Sequence, residues 1–253
     1  MRVVEFDAGG YRFVHVQGVF QFSSGVLADR GYEVERVRLP APVPLADGFR
    51  LVEKRLAAVG RPIAALCAME LRSPAPFSER GFVDFNRRYV GQLAEWGLVR
   101  DYVNPVARTN VCPVRGAPAV PSLHSFAYTA RSTRRSPTFV LAGSSEADQG
   151  PAEYRDSIVR RGDVSTDGMR EKLACILTEQ EKRLRILGLG WADVGCARLY
   201  TAHDLGPLIR ECLFRTGTAA EVTWIDARPP VQDLDLEMDN SSVAREVVLD
   251  GEA

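Results

Sequence analysis

The sequence predicts an α+β fold built from two similar units that follow one another along the chain. Both halves of the 253 residues contain the predicted order β-β-α-β-α-β, with further strands at the start of the first half and at the end of the second. The Asp-Gly pair at Asp47 recurs at Asp167, about 120 residues later, which is a spacing typical of a duplicated domain. A Pro- and Gly-rich stretch, residues 114–122, separates the halves near the midpoint. We therefore predict a first domain over residues 1–121 and a second over residues 122–253.

The first half is predicted to contain alternating strands and helices. Alternation of apolar and polar residues indicates strands, and apolar residues at helical spacing indicate helices. Pro40 and Pro42 are expected to end the third strand. The predicted strands are residues 3–7, 11–17, 32–39, 63–71 and 107–112. The helices are indicated by two apolar stripes: Phe49, Val52, Leu56 and Val59 after a cap at Asp47, and Phe82, Phe85, Tyr89, Leu93 and Trp96.

The second half repeats this order. A long helix is predicted to begin at Asp167 and to end near Gly188, and a shorter helix covers residues 204–214. The chain turns polar at residues 239–242, and residues 243–249 are predicted to form a last edge strand. Helices on one face of a mixed sheet make the predicted fold α+β. The other predicted strands of this half are residues 125–130, 138–143, 194–201, 221–227 and 234–238.

The composition excludes several classes of protein. A net charge of -1, from 32 basic and 33 acidic residues, gives no overall field that would attract nucleic acid or an anionic membrane. The five cysteines include no C-x-x-C pair and the three histidines lie far apart, so neither a disulfide framework nor a metal site is expected. No signal-peptide region and no apolar run of about 18 residues is visible. We expect a cytoplasmic protein with no nucleic-acid or membrane partner.

Short motifs occur in a fixed order through the second half. Residues 139–144 form an apolar strand that ends in Gly-Ser, residues 187–194 read Leu-Gly-Leu-Gly-Trp-Ala-Asp-Val, and residues 227–230 read Ala-Arg-Pro-Pro before Leu-Asp-Leu-Glu at 234–237. With this order of motifs, residues 126–238 resemble the RidA (YjgF) family. The resemblance implies a chorismate-mutase-like fold, with two helices packed on one face of a mixed sheet. Single-copy members of that family are trimers with sites between subunits, so a homo-trimer is expected here.

The first half resembles the same family at two motifs. Asn86 begins an Asn-x-x-Tyr in the second helix, and residues 105–109 resemble the family's Pro-Ala-Arg-Thr with one residue inserted. In that family the arginine, here Arg108, binds the substrate carboxylate. The second half has Glu221 at the matching position, whereas the acidic match, Glu237, occurs only in the second half. We therefore predict one composite site to which both halves contribute.

Three further segments resemble a narrower group of tandem proteins, the 2-aminomuconate and 2-amino-5-chloromuconate deaminases. They are residues 70–74, residues 104–108 and the Pro229-Pro230 pair. The resemblance implies a cofactor-independent deaminase, which hydrolyses the enamine or imine of an amino-dicarboxylate to a keto or enol acid and ammonia. Two alternatives stay open. One is a RidA-fold tailoring enzyme of secondary metabolism with cyclisation or chorismatase-like chemistry, and the other is a non-catalytic binding or assembly subunit.

Charged residues supply the main candidates for this site. Arg108 is predicted to clamp a carboxylate through its planar guanidinium, against the alternative of a surface ion pair. Arg72 and Glu70 share one strand face, so they either pair with each other or bind the second carboxylate of the substrate. Glu237 is predicted to orient or deprotonate the attacking water, the alternative being an exposed carboxylate.

Polar neutral residues complete the predicted site. Tyr128 either donates a hydrogen bond to substrate or packs its ring in the core. Gly143 is predicted to contact the substrate, and Ser144 after it either offers its hydroxyl and backbone N–H or is a turn residue. Asn86 either binds substrate or lies on a solvated helix face. No metal ligand and no cofactor is expected.

Overall fold

The computed structural model describes residues 1–148 and 154–249, and these residues form four layers in the order helices, sheet, sheet, helices. The helices are α1 (Leu45–Ala58), α2 (Glu79–Glu95), α3 (Tyr154–Ser157), α4 (Thr166–Ile186) and α5 (Gly206–Leu208). The strands are β1 (Arg2–Phe6), β2 (Tyr11–His15), β3 (Gly25–Ala28), β4 (Tyr32–Pro44), β5 (Leu66–Arg72), β6 (Ala107–Pro113), β7 (Ser122–Arg131), β8 (Phe139–Ser145), β9 (Cys196–Tyr200), β10 (Glu221–Ile225), β11 (Ala227–Arg228), β12 (Glu237–Ser242) and β13 (Arg245–Val248).

Both sheets are mixed, and both contain strands from the two halves of the chain. The seven-stranded sheet has the order β1-β2-β3-β8-β12-β9-β10, and the six-stranded sheet has the order β11-β6-β5-β7-β4-β13. The predicted α+β class is therefore confirmed. Strand β7, the first element after the predicted domain boundary, lies between β4 and β5 of the first half. The division at residues 121 and 122 describes a duplication along the sequence and stays a prediction.

Three apolar clusters hold the layers together. Helices α1 and α2 cover the outer face of the six-stranded sheet, and α4 with the segment after α5 covers the outer face of the seven-stranded sheet. The third cluster lies between the sheets and includes Phe13 of β2, Val34 of β4, Ala107 of β6 and Val140 of β8. Burial of each large apolar side chain stabilises the fold by roughly 1.5–3 kcal/mol. The two sheets therefore pack face to face, and polar groups between them are removed from solvent.

Several element boundaries differ from the predictions for local reasons. Strand β4 continues past Pro40 and Pro42, because the pairing of β4 with β7 is interrupted between Arg38 and Val43 and prolines interfere less there. Helix α4 begins earlier than expected, since the hydroxyl of Ser165 accepts the cap hydrogen bond from the backbone N–H of Gly168. Likewise α1 begins at Leu45, which leaves Asp47 in its first turn. Strand β3, which has four residues, was not predicted.

The polar stretch predicted after the last β-α unit is instead a buried strand, β12. Asp239 and Asn240 are fully buried in this strand. Each has a polar partner: Arg198 Nε donates to Asp239 Oδ1 at 2.7 Å, and the Asn240 amide donates to Gln180 Oε1 at 3.0 Å. Buried polar groups are tolerated when they are hydrogen-bonded, so tertiary partners turn a loop-like sequence into a central strand.

Candidate active site

A buried cavity of about 40 Å³ lies where β6 of one sheet meets β8 and β12 of the other. Its wall is mostly apolar, and its polar groups come from three strands of the two halves. Such a mostly apolar cavity with a few converging polar groups is the usual form of a small-molecule site. The residues that line it are Phe22, Phe82, Arg108, Asn110, Gly143, Ser145, Ala147, Tyr154, Pro230, Val231, Leu234 and Glu237.

The guanidinium of Arg108 is the cationic group of the cavity. The side chain is buried, with 4% of its surface exposed, and its Nη1 donates to Asn86 Oδ1 at 2.7 Å. Four aromatic rings surround the guanidinium at 5.0–5.7 Å from its central carbon. No carboxylate oxygen of residues 1–148 or 154–249 lies within 4.0 Å of it. Burial lowers the pKa of Arg108 from its usual value, as expected for a cation with no ion-pair partner.

The carboxyl group of Glu237 is the acidic group of the cavity. Glu237 is the first residue of β12 and is 4% exposed. Burial raises the pKa of Glu237 to about 8, the negative charge of Asp239 adds to the rise, and the charge of Arg108 opposes it. A carboxyl group with this pKa is mostly protonated at neutral pH. Glu237 can therefore donate a proton as well as accept one.

Glycine at position 143 makes room for this carboxyl group. Gly143 lies on β8, which pairs with β12 so that Ser145 faces Glu237. A Cβ atom at position 143 would lie 2.0 Å from Glu237 Oε1, a distance that atoms do not tolerate. The hydroxyl of Ser145 lies 3.5 Å from Glu237 Oε2. The close approach of the β8 backbone thus fixes the position of the Glu237 side chain.

The structure brings together four of the residues that the sequence predicted for the site. Arg108, Gly143 and Glu237 line the cavity, and Asn86 holds the guanidinium of Arg108 from helix α2. Arg108 comes from the first half of the chain and Glu237 from the second. Residues of both halves therefore line one cavity within a single chain, and its role as the composite substrate site stays a prediction.

Two predicted residues lie elsewhere. The hydroxyl of Tyr128 donates to Glu35 Oε2 at 2.7 Å and its ring packs in the cluster beneath α1 and α2, because β7 is inserted in the six-stranded sheet. Ser144 accepts from Gln180 Nε2 at 2.8 Å, on the face of β8 that α4 covers. The prediction that Tyr128 and Ser144 line the cavity is therefore wrong. Alternation along β8 places the neighbouring Ser145 in the cavity instead.

Glu70 and Arg72 belong to a charged cluster between the sheets and do not line the cavity. Glu70 accepts two hydrogen bonds from Arg36, at 2.7 and 2.8 Å, and one from Arg198 at 2.9 Å. Burial alone would raise the pKa of Glu70, but the charges of Arg198 and Arg36 outweigh it and hold that pKa well below its usual value. Arg72 lies 4.0 Å from the same carboxylate. The contacts of Glu70 and Arg72 therefore fit an ion pair between the two residues, the first of the two alternatives given above.

Asn110 and Tyr154 also line the cavity, and neither was predicted from the sequence as a site residue. Asn110 lies two residues after Arg108 and on the same face of β6. Because side chains alternate between the faces of a strand, the position of Arg108 could have predicted that of Asn110. Tyr154 begins the four-residue helix α3, and its ring packs edge-on against Phe82 at 6.2 Å. A single tyrosine in a loop-like segment gives no such signal, because its place depends on this tertiary contact.

A larger groove, of about 910 Å³, opens on a different part of the surface. It is lined by several arginines, among them Arg12, Arg30, Arg134 and Arg135, of which Arg12 and Arg134 face nearby carboxylates at 3.5 and 3.4 Å. Exposed groups of this kind interact weakly because water and salt screen them. The smaller cavity, with a buried cation that has no carboxylate partner within residues 1–148 and 154–249, is therefore the better candidate for an active site.

The two facing sheets and their outer helices define an α+β protein with a small, mostly apolar cavity to which both halves of the chain contribute polar groups. The family model of 2-aminomuconate deaminase CnbZ matches residues 3–247. This chain belongs to that family. The 2-amino-5-chloromuconate deaminase of Comamonas testosteroni is 48% identical over 249 residues, which are 97% of this chain and 98% of that protein.

Solved structures with a similar arrangement include a chorismatase and the YjgF gene product of E. coli. The chorismatase is 15% identical, and the similarity covers 87% of this chain and 77% of the chorismatase with a TM-score of 0.47. The YjgF protein is 13% identical, and the similarity covers 43% of this chain and 81% of YjgF with a TM-score of 0.30.

Proposed function

We propose that this protein is a cofactor-independent deaminase that hydrolyses an amino-dicarboxylate of the 2-aminomuconate type to a keto or enol acid and ammonia. The observation that carries the proposal is the pairing, in one cavity, of a buried guanidinium without a carboxylate partner in the described chain and a carboxyl group with a pKa of about 8. The guanidinium needs an anion, and the carboxyl group can exchange a proton at neutral pH. Membership of a deaminase family supports the same reaction.

Arg108 is the proposed binding group for the substrate carboxylate next to the amino group. An isolated buried charge costs several kcal/mol of desolvation, and an anionic ligand offsets that cost. The planar guanidinium forms two parallel hydrogen bonds with a carboxylate, which also fixes its orientation. Asn86 occupies one N–H of the guanidinium at 2.7 Å and so limits how it can turn. The reacting carbon of the substrate is thereby directed towards Glu237.

Glu237 is the proposed proton carrier of the reaction. In its neutral form it protonates the enamine carbon, and the C=C–N unit becomes an iminium ion. The resulting carboxylate then accepts a proton from water as the water oxygen bonds to the iminium carbon. Glu237 next gives this proton to the nitrogen as the C–N bond breaks and ammonia leaves, and the hydroxyl proton of the intermediate returns to Glu237 as the carbonyl group forms. One water is consumed and one ammonia is released, so the reaction needs no oxidant or reductant.

The cavity of about 40 Å³ holds only a few water molecules. An amino-dicarboxylate is larger, so its binding requires part of the wall to move outwards. Phe82 and Tyr154 form one side of this wall. Induced fit of this kind excludes water from the reacting atoms once the substrate is bound.

The proposed setting is the cytoplasm, and the proposed assembly is a homo-trimer. Cys67, Cys112, Cys175, Cys196 and Cys212 are free thiols. Within the described residues, no helix is long and apolar enough to cross a bilayer. Sedimentation velocity measures the assembly directly, and a monodisperse monomer would remove the trimer from the proposal.

Ammonia release from 2-aminomuconate tests the proposed function. The purified protein should release one ammonia per substrate consumed, and in water labelled with oxygen-18 the new carbonyl group should carry the label after short reaction times. Prior treatment with a chelator should leave the rate unchanged. Substrate loss without ammonia, or no reaction above the rate without protein, would overturn the proposal.

A further inference from the structure

Asn110 lines the cavity and has a side-chain hydrogen-bond donor without a partner among the described residues. The side chain is 2% exposed and lines the cavity from β6. Its Oδ1 accepts a hydrogen bond from the hydroxyl of Ser73 at 3.0 Å, which fixes the orientation of the amide. Its Nδ2 is buried and has no hydrogen-bond partner among residues 1–148 and 154–249. A buried donor without a partner is unfavourable by about 1–3 kcal/mol, so it commonly indicates a missing ligand.

The position of Asn110 relative to Arg108 suits a short molecule with a polar group at each end. Residues two apart on a strand point to the same face, and their Cα atoms lie about 7 Å apart. Arg108 and Asn110 therefore offer two sets of donors along one wall, at a separation comparable with the six-carbon backbone of a muconate. The rest of this wall is apolar and offers few other partners for a second anionic group.

We propose that Asn110 is a specificity-determining residue, whose amide Nδ2 donates to the distal carboxylate of the substrate while Arg108 binds the proximal one. This inference rests on the proposed function and extends it, because it assigns the preference for a dicarboxylate to one side chain. Ser73 acts as a positioning residue, since its hydrogen bond to Oδ1 fixes the orientation of the Asn110 amide.

The test compares 2-aminomuconate with the analogue in which the distal carboxylate is replaced by a carboxamide. For each compound kcat/KM is measured by ammonia release. The wild type should prefer the dicarboxylate by about tenfold, because a hydrogen bond to a charged acceptor is the stronger one. In Asn110→Asp the donor is replaced by an anion of the same shape. Its kcat/KM for the dicarboxylate should fall by about 100-fold or more, and the preference should change to the amide, which can donate to Asp.

Two further variants keep the inference falsifiable if Asn110→Asp folds poorly. Asn110→Ala should remove most of the preference for the dicarboxylate without reversing it. Ser73→Ala, which keeps Asn110 but frees its amide, should reduce the preference by a few-fold. Asn104→Asp is the matched control: Asn104 is equally buried but does not line the cavity, so this variant should affect both compounds by the same factor.

The possible results distinguish a failure of the proposed function from a failure of the proposed role of Asn110. If the wild type releases no ammonia from either compound, the proposed function is wrong. If the wild type is active, and the folded Asn110 variants lower kcat/KM for both compounds by the same factor or leave the preference unchanged, the function stands and the role of Asn110 is wrong. Thermal melting curves establish which variants are folded.

Discussion

At the scale of single residues, Arg108 and Arg198 show how identical side chains serve different purposes. Both are buried, at 4% and 9% exposure. Arg198 is held between two carboxylates, Glu70 at 2.9 Å and Asp239 at 2.7 Å. Arg108 has a neutral amide and aromatic rings around it. A cation that the protein itself neutralises maintains structure, whereas a cation left without an anion is available for a ligand.

This difference predicts opposite effects of the same substitution. Arg108→Met removes, at similar volume, a buried charge that has no ion-pair partner in the described part of the chain, so the melting temperature should stay the same or rise, while KM for the substrate increases by roughly 10- to 100-fold. Arg198→Met leaves Glu70 and Asp239 facing each other and should destabilise the fold by about 3–5 kcal/mol. Thermal denaturation and steady-state kinetics measure both effects. Equal destabilisation by the two substitutions would assign Arg108 a structural role.

Glu237 predicts a pH dependence with a definite sign. Its pKa of about 8 means that the protonated acid predominates below pH 8. Because the proposed first step uses that proton, kcat/KM should be level on the acidic side and fall as the pH rises through about 8. Glu237→Gln keeps the shape and removes the proton, so kcat should fall by roughly 10²–10⁴-fold with little change in KM. A folded Gln variant with normal turnover, or a rate that rises through pH 8, would contradict this role.

The sequence predicted the charged residues of the cavity better than the neutral ones. Arg108 and Glu237 occur in motifs with a distinctive local sequence, and the absence of each from the other half suggested a shared site. Whether Tyr128 and Ser144 line the cavity depends on which layer packs against the strand face that carries each side chain. That information is tertiary, since β7 joins the sheet of the other half and α4 covers the Ser144 face of β8.

At the scale of elements, the contact between β8 and β12 determines the geometry of the candidate site. The approach of the Gly143 backbone to the Glu237 side chain leaves no space for a Cβ atom. Helix α2 contains a contrasting glycine, Gly91, where an added Cβ atom would meet nothing within 4 Å. These two glycines provide a substitution and its matched control.

Gly143→Ala should displace the Glu237 carboxyl group and lower kcat by at least about tenfold, because small displacements of a proton donor are costly. Gly91→Ala should leave kcat unchanged and stabilise the protein by up to about 1 kcal/mol, since alanine is the better helix former. Kinetics and melting curves of both variants check this. If Gly143→Ala has full activity, the position of Glu237 is not critical.

The elements also show where local sequence patterns are insufficient. Apolar stripes predicted α1, α2 and α4, because the buried face of an amphipathic helix is visible in the sequence as apolar residues at helical spacing. A strand was predicted only as far as Met238, and the buried Asp239 and Asn240 that continue β12 are explained only by Arg198 and Gln180. These partners are about 40 and 60 residues away in sequence, which no local pattern can reveal.

At the scale of the whole molecule, the two halves are interleaved. Strands β1, β2 and β3 from the first half extend the sheet of the second, and β7 from the second half lies inside the sheet of the first. Each half alone would leave strand edges unpaired and the cluster between the sheets exposed to water. The predicted duplication therefore does not imply that the halves fold independently.

A chain cut between residues 121 and 122 tests this interleaving. Fragments 1–121 and 122–253, expressed separately, should lack a cooperative thermal transition. When they are mixed, they should associate and recover the circular dichroism spectrum of the intact protein. Independent cooperative unfolding of both fragments would support two autonomous domains instead.

The central claim is that Arg108 and Glu237 of the same chain form one active site. Subunit complementation tests it most directly: Arg108→Met and Glu237→Gln chains are co-expressed with different affinity tags, and molecules carrying both tags are assayed for ammonia release from 2-aminomuconate. Every chain in such a mixture lacks one of the two groups. We predict that the mixed sample is no more active than the average of the two variants alone. Recovery of a substantial fraction of wild-type activity would mean that the site combines residues of different subunits, contrary to the single-chain cavity described above.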